Sequence, residues 1–99
     1  MSKVVMIMKW EGVTADQYEK IRKTVNWEGE QPPGSMFHVA AFGNNALHVT
    51  DIWESAEQFG SFVQSRLMPG VQQAGIASQP HVEIYPMHAL YVPNAGALV

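Results

Sequence analysis

His38 and Asp51 flank the dipeptide Asn44-Asn45 in the stretch MFHVAAFGNNALHVTDIW, residues 36–53. Two β-prone runs around a pair of asparagines predict a hairpin with a two-residue turn. In that register Phe42 faces Leu47, Ala40 faces Val49, His38 faces Asp51 and Met36 faces Trp53. All of these side chains then share one side of the sheet. A carboxylate on so apolar a surface is costly unless it is paired. An adjoining imidazole supplies the partner; the hydrogen bond would fix the ring's tautomer and raise its basicity, which is how a general base is made. The functional reading is a His38–Asp51 dyad at a pocket, with Trp53 as a wall for a flat ligand. The plainer reading is a satisfied cross-strand pair, or an Asp51 that caps a neighbouring backbone. A slip of one residue in the register would separate the two.

The elements that hold this hairpin are announced by a phrase said twice. WEGVTADQY (10–18) returns as WESAEQF (53–59), with two residues fewer. Each copy follows a strand-like run, KVVMIMKW (3–10) and ALHVTDIW (46–53). Each then opens a helix: Thr14 with Gln17, and Ser55 with Gln58, have the spacing of a capping box. Asp16 and Glu57 fall in the first turns, where a carboxylate complements the helix dipole. Ala15, Tyr18, Ile21 and Val25 form one apolar stripe, and Ala56, Phe59, Phe62, Val63 and Leu67 form another. The second helix is expected to break at Pro69 and to add a short turn before Gly75. A last run, HVEIYPMHALYV (81–92), closes the domain, its Pro86 marking an edge or a bulge. The order β-α-β-β-α-β, with two matching βα halves, predicts one α+β domain over residues 1–99: a ferredoxin-like βαββαβ fold with an antiparallel four-stranded sheet. Two unrelated capping boxes that happen to look alike are the alternative.

Composition narrows the function. The chain is 46% hydrophobic and 15% charged, against roughly 25% charged in ordinary soluble domains. A net charge of −3, with six scattered Lys and Arg, argues against nucleic acid and against an anionic membrane. Without cysteine, disulfides, thiolate metal sites and thiol nucleophiles are excluded. The N-terminal apolar run is too short for a signal peptide or a membrane span, so a cytoplasmic protein is the expectation. No two histidines have the helical spacing that metal sites favour, and no Gly-rich phosphate motif occurs; no metal and no cofactor is expected.

Strands VVMIM and FHVAAF are apolar on both faces. Helices on one side leave the other wet in a lone domain of this type, and no third long helix is available to cover it. A second copy packed sheet to sheet would, so a homodimer is expected, with an interface of at least about 800 Å² per partner. His48, with Thr50 and Ile52, falls on that outer face. His81 and His88 sit on the last run and pair with nothing by spacing. The loop NWEGEQPPGS (26–35) is either a lid carrying Trp27, Glu28 and Glu30 or a plain crossing from helix to strand. The tail VPNAGALV (92–99) is expected to lie over the partner.

The strand–WES–helix phrase, the doubled βα pattern and the length together resemble the dimeric α/β-barrel superfamily, including the antibiotic-biosynthesis-monooxygenase-like domains. The resemblance spans roughly residues 3–92, and DIWESAEQF is its most specific piece. It implies a homodimer with a small-molecule cavity between helices and sheet, serving cofactor-free oxygenation or a proton transfer such as isomerisation or cyclisation. In such relatives the tryptophan of this phrase lines the pocket. Carried onto Trp53, this puts His38 and Asp51 on the cavity side; by the internal repeat, Trp10, Met8 and Met6 would line it too. The expected ligand is a small aromatic or polyketide-like molecule walled by Trp53, Met36, Met8 and Trp10. The haem-degrading branch relies on a histidine in the second helix and an asparagine in the first strand; residues 55–75 and 3–10 hold neither. The competing expectation is a ligand-binding or structural dimer whose cavity is filled by its own large side chains.

Overall fold

The computed structural model describes residues 2–98; positions 1 and 99 of the expected domain and tail lie outside them. Strand β1 (Val4–Glu11) leads to helix α1 (Ala15–Val25), then to the hairpin β2 (Ser35–Gly43) and β3 (Ala46–Trp53). Helix α2 (Ala56–Phe62) and α3 (Met68–Gln73) are joined by a π-helical turn at Val63–Leu67, and β4 (His81–Pro86) follows. The strands lie in the order β2-β3-β1-β4, antiparallel throughout. This is the ferredoxin-like βαββαβ arrangement, an α+β fold.

The helices bury one face of the sheet. Met6, Met8 and Trp10 from β1, with Leu47, Val49 and Trp53 from β3, meet Ile21, Val25, Phe59 and Val71 from the helices. Burying such a side chain contributes roughly 1.5–3 kcal/mol, so the period-two pattern of the central strands decides which face turns inward. Gly70 lets α3 approach α1 closely, since a Cβ there would stand 2.6 Å from Val25 Cγ2.

The first helix start is a complete capping box: Thr14 Oγ1 accepts from the Gln17 N–H, and Gln17 Oε1 accepts from the Thr14 N–H. The second is half of one. Ser55 Oγ accepts from the Gln58 N–H but donates to Gln58 Oε1, so the backbone of Ser55 is not reached. The Asn44-Asn45 turn has φ of 54° and 60°, the two left-handed residues that a two-residue turn of this hand requires.

Two expectations are corrected. The ladder of β2 on β3 carries a bulge at Met36, so Ser35, not Met36, stands opposite Trp53. The helix does not break at Pro69. The proline lacks the N–H that would bond one turn back, and the turn just before it widens so that the Met68 N–H reaches Val63 five residues back. The chain then continues helically. The segment from Met87 to Leu98 runs along the outer face of the sheet, bordering a hollow with Val5, Phe37, Thr50 and Ile52, and ends in a 3₁₀ turn at Ala95–Leu98.

Candidate functional site

The hairpin puts His38 and Asp51 opposite each other on the inner face. Asp51 is 6% exposed, the one charged side chain among the buried core residues described. Both of its oxygens are used. His38 Nδ1 lies 2.7 Å from Oδ1, and Trp53 Nε1 donates to Oδ2 at 3.0 Å. A buried carboxylate that accepts twice is satisfied, and accepting from Nδ1 places the neutral ring's proton there. Nε2 is then left as an acceptor.

That acceptor is already engaged. The Tyr18 hydroxyl, reaching across from α1, donates to it at 2.7 Å. The result is a continuous chain Tyr18–His38–Asp51–Trp53 linking a helix to two strands. The Tyr18 and His38 rings lie 5° from parallel with centroids 6.2 Å apart. Trp27, from the loop after α1, tilts over both, 5.2 Å from His38 and 5.9 Å from Tyr18. Burial pushes the Tyr18 phenol up to about 12, with the Arg22 charge opposing and Glu19, Asp51 and Glu28 reinforcing.

The loop that carries Trp27 is fastened at its start. Asn26 caps α1 in the left-handed conformation. Arg66, from the π turn, donates to the Val25 carbonyl at 2.8 Å. Arg22 holds Glu28 through its Nε and, at 3.0 Å, through Nη2. The segment is thus a tied-down roof over Tyr18 and His38.

Under that roof lies a cavity of about 60 Å³, bordered by Tyr18, His38 and Asp51 at one end and walled by Met6, Met8, Trp10, Trp53, Phe59 and Phe62. At roughly 10–15 Å³ for each water it holds a few waters. Pockets for drug-sized ligands run from about 300 Å³ upward. A ring system of two or more rings would therefore have to displace Trp27 or the flexible methionines.

Of the residues singled out from sequence, His38, Asp51, Trp53, Met8 and Trp10 border this cavity. Met36 does not: the bulge turns it away, and it is 47% exposed. Trp10 is further tied by donating to Ser78 Oγ at 3.0 Å. The structure adds two residues to the site: Trp27, from the loop expected to be either a lid or a plain crossing, and Tyr18, from the apolar stripe of the first helix. A signal for Tyr18 did exist, because a phenol on an apolar stripe carries a hydroxyl that must find a partner when buried.

No protein-family model and no curated protein matches the chain. Solved structures do match in fold. A protein of unknown function from Nitrosomonas europaea, NE2512, is 16% identical with a TM-score of 0.69, covering 95% of this chain and 97% of its own. SnoaB from Streptomyces nogalater, a cofactor-independent oxygenase, is 13% identical with a TM-score of 0.68, covering 95% and 100%. The ActVA-Orf6 monooxygenase of Streptomyces coelicolor, solved with nanaomycin D, is 16% identical with a TM-score of 0.63, covering 94% of each chain.

Proposed function

We propose that this chain is a small cofactor-independent enzyme that removes or relocates a proton on a flat, largely apolar molecule. The proton transfer either completes an isomerisation or cyclisation, or yields an electron-rich anion that reacts with dioxygen, as in a monooxygenase. His38 is the proton acceptor, Asp51 fixes its ring, and Trp53, Met8 and Trp10 form walls. The observation that carries this reading is the His38–Asp51 contact of 2.7 Å at the edge of an apolar cavity. A buried aspartate held on both oxygens keeps an imidazole in one tautomer, an arrangement that suits general-base work. The oxygenase activity named for SnoaB and the nanaomycin D bound to ActVA-Orf6 support the substrate class. A homodimer is the working form: Ile7, Phe37 and Val39 remain exposed at 43%, 36% and 47% on the outer sheet face.

The test uses 2-tetralone, a flat bicyclic ketone with acidic C–H bonds, in D₂O. Proton NMR follows deuterium entry at the carbon beside the carbonyl, and tryptophan fluorescence follows binding. Catalysed exchange that His38→Ala abolishes while binding persists supports the reading; exchange at the buffer rate sinks it. The competing reading, a dimer filled by its own side chains, has the small volume of the cavity in its favour. It predicts no binding of this ketone or of larger hydroxylated aromatics.

A further inference from the structure

We propose that Tyr18 is the catalytic residue that meets the substrate, and that His38 acts through it. This rests on the proton-transfer reading above and assigns the contact within it. The in-plane lone pair of His38 Nε2 points in one direction, and the Tyr18 hydroxyl occupies that direction at 2.7 Å. A substrate can reach Nε2 only by expelling the phenol, whose ring is packed against Trp27 and, edge-on at 6.1 Å, against Phe42. The phenolic oxygen has no other hydrogen-bond partner among the described residues. Having given its only proton to Nε2, it keeps lone pairs free to accept, and Tyr18 and His38 both border the cavity.

The step is a double proton shift. The substrate's acidic O–H or C–H bond breaks and its proton bonds to the Tyr18 oxygen. The phenol's own O–H bond breaks and that proton bonds to His38 Nε2. The substrate keeps the electron pair as an enolate or phenolate. The imidazole becomes an imidazolium beside the Asp51 carboxylate, where the new positive charge is paired. Free tyrosinate is never formed, which fits a phenol that burial holds protonated. The substrate class follows: a flat molecule with a phenolic, enolic or doubly activated C–H proton.

Charged and titratable groups reach Tyr18 from every side packed on it. Glu19 and Arg22 lie on α1, Glu28 on the loop, His38 on β2 and Asp51 on β3. Salt or pH effects on the relay are therefore read against Tyr18→Phe, which removes the hydroxyl alone.

Two measurements decide it. In the exchange assay with 2-tetralone, Tyr18→Phe lowers the turnover rate about a hundred-fold or more, the scale of a lost general-base contact, while Kd changes by less than about three-fold. His38→Ala loses turnover to the same degree. If His38 itself touched the ketone, Tyr18→Phe would expose Nε2 and exchange would persist near the wild-type rate; that result overturns the proposal alone. A wild-type protein that catalyses no exchange overturns both this assignment and the function it rests on. Independently of any ligand, ¹⁵N NMR of the histidine rings in wild-type and Tyr18→Phe protein reads the hydrogen bond directly. The Nε2 resonance of His38 moves toward that of a free pyridine-type nitrogen when the hydroxyl is removed. An unmoved resonance shows that the relay does not exist in solution and rejects the proposal.

Discussion

The indole of Trp53 donates to the carboxylate of Asp51, which precedes it by two positions on β3, at 3.0 Å. Residues two apart on a strand point to the same face, so one strand supplies both the buried charge and part of its compensation. His38, from the neighbouring strand, supplies the rest. The carboxylate is thus held on two sides before any ligand arrives.

Replacing Asp51 with Asn keeps the shape but turns one acceptor into a donor. Either the Trp53 N–H or the His38 N–H then faces an amide N–H across a buried contact. The expected cost is about 1–3 kcal/mol, the penalty for one unsatisfied buried polar group. Urea denaturation measures it. A loss below about 0.5 kcal/mol would show that the pair is open to water and that its burial has been overstated.

Tyr18 makes stability depend on alkaline pH. The folded protein holds the phenol up to about 12, whereas an unfolded tyrosine titrates near 10. Between those values the folded state keeps a proton that the unfolded state has lost, so stability falls as pH rises. The contribution is complete below about pH 10 and gone once pH passes about 12. Thermal melts of wild type and Tyr18→Phe from pH 8 to 11.5 check this: the wild-type Tm drops more steeply across the upper part of the range. Parallel curves would contradict it.

The pair Arg22–Glu28 ties the Trp27 loop to α1 at an exposed site. Neutralising it with Glu28→Gln should leave Tm almost unchanged, because exposed pairs add little to global stability. Acrylamide quenching of tryptophan fluorescence should rise, because Trp10 and Trp53 are 2% exposed and the half-buried Trp27 dominates the response. High salt should do the same to the wild type. The Arg22 hydrogen bond holds the Glu28 carboxyl below its usual range. The tie is therefore complete above that range and is lost only as pH falls through the lowered value.

Gly70→Ala should be strongly destabilising, since the new methyl would lie 2.6 Å from a Val25 methyl and overpacking costs roughly 1–3 kcal/mol. Combining it with Val25→Ala removes the opposing methyl. The double-mutant cycle should show a favourable coupling of about 1 kcal/mol or more; additive losses would mean that the helices adjust freely.

What could be read from the residues, and what could not, divides by the distance over which the signal acts. Asn44 and Asn45 announce a left-handed two-residue turn locally, and the His38–Asp51 juxtaposition follows from counting outward. Thr14 and Gln17 announce a helix start in the same way. Tyr18 is different: its meeting with His38 depends on how α1 lies across the sheet, which no local pattern carries. Pro69 misleads for a related reason. Alone it signals a break, and only the continued packing of α3 against α1 makes a widened turn the better solution. The bulge at Met36 leaves no trace in composition, so the pairing of Met36 with Trp53, and its expected place on the wall, did not survive.

That bulge sets the phase of everything upstream. Side chains on a strand alternate with a period of two, and one unpaired residue reverses the alternation for the chain that precedes it. With Met36 set aside, it is Ser35 that lines the cavity beneath Trp53, and the backbone leaves β2 toward the helices, where Gly34 accepts from the Glu54 N–H at 2.8 Å. Were the ladder to run without this interruption, Met36 would stand opposite Trp53 and Ser35 would pass to the outer face. The place beside Trp53 on the cavity wall goes to a small hydroxyl rather than a thioether because one methionine is left unpaired.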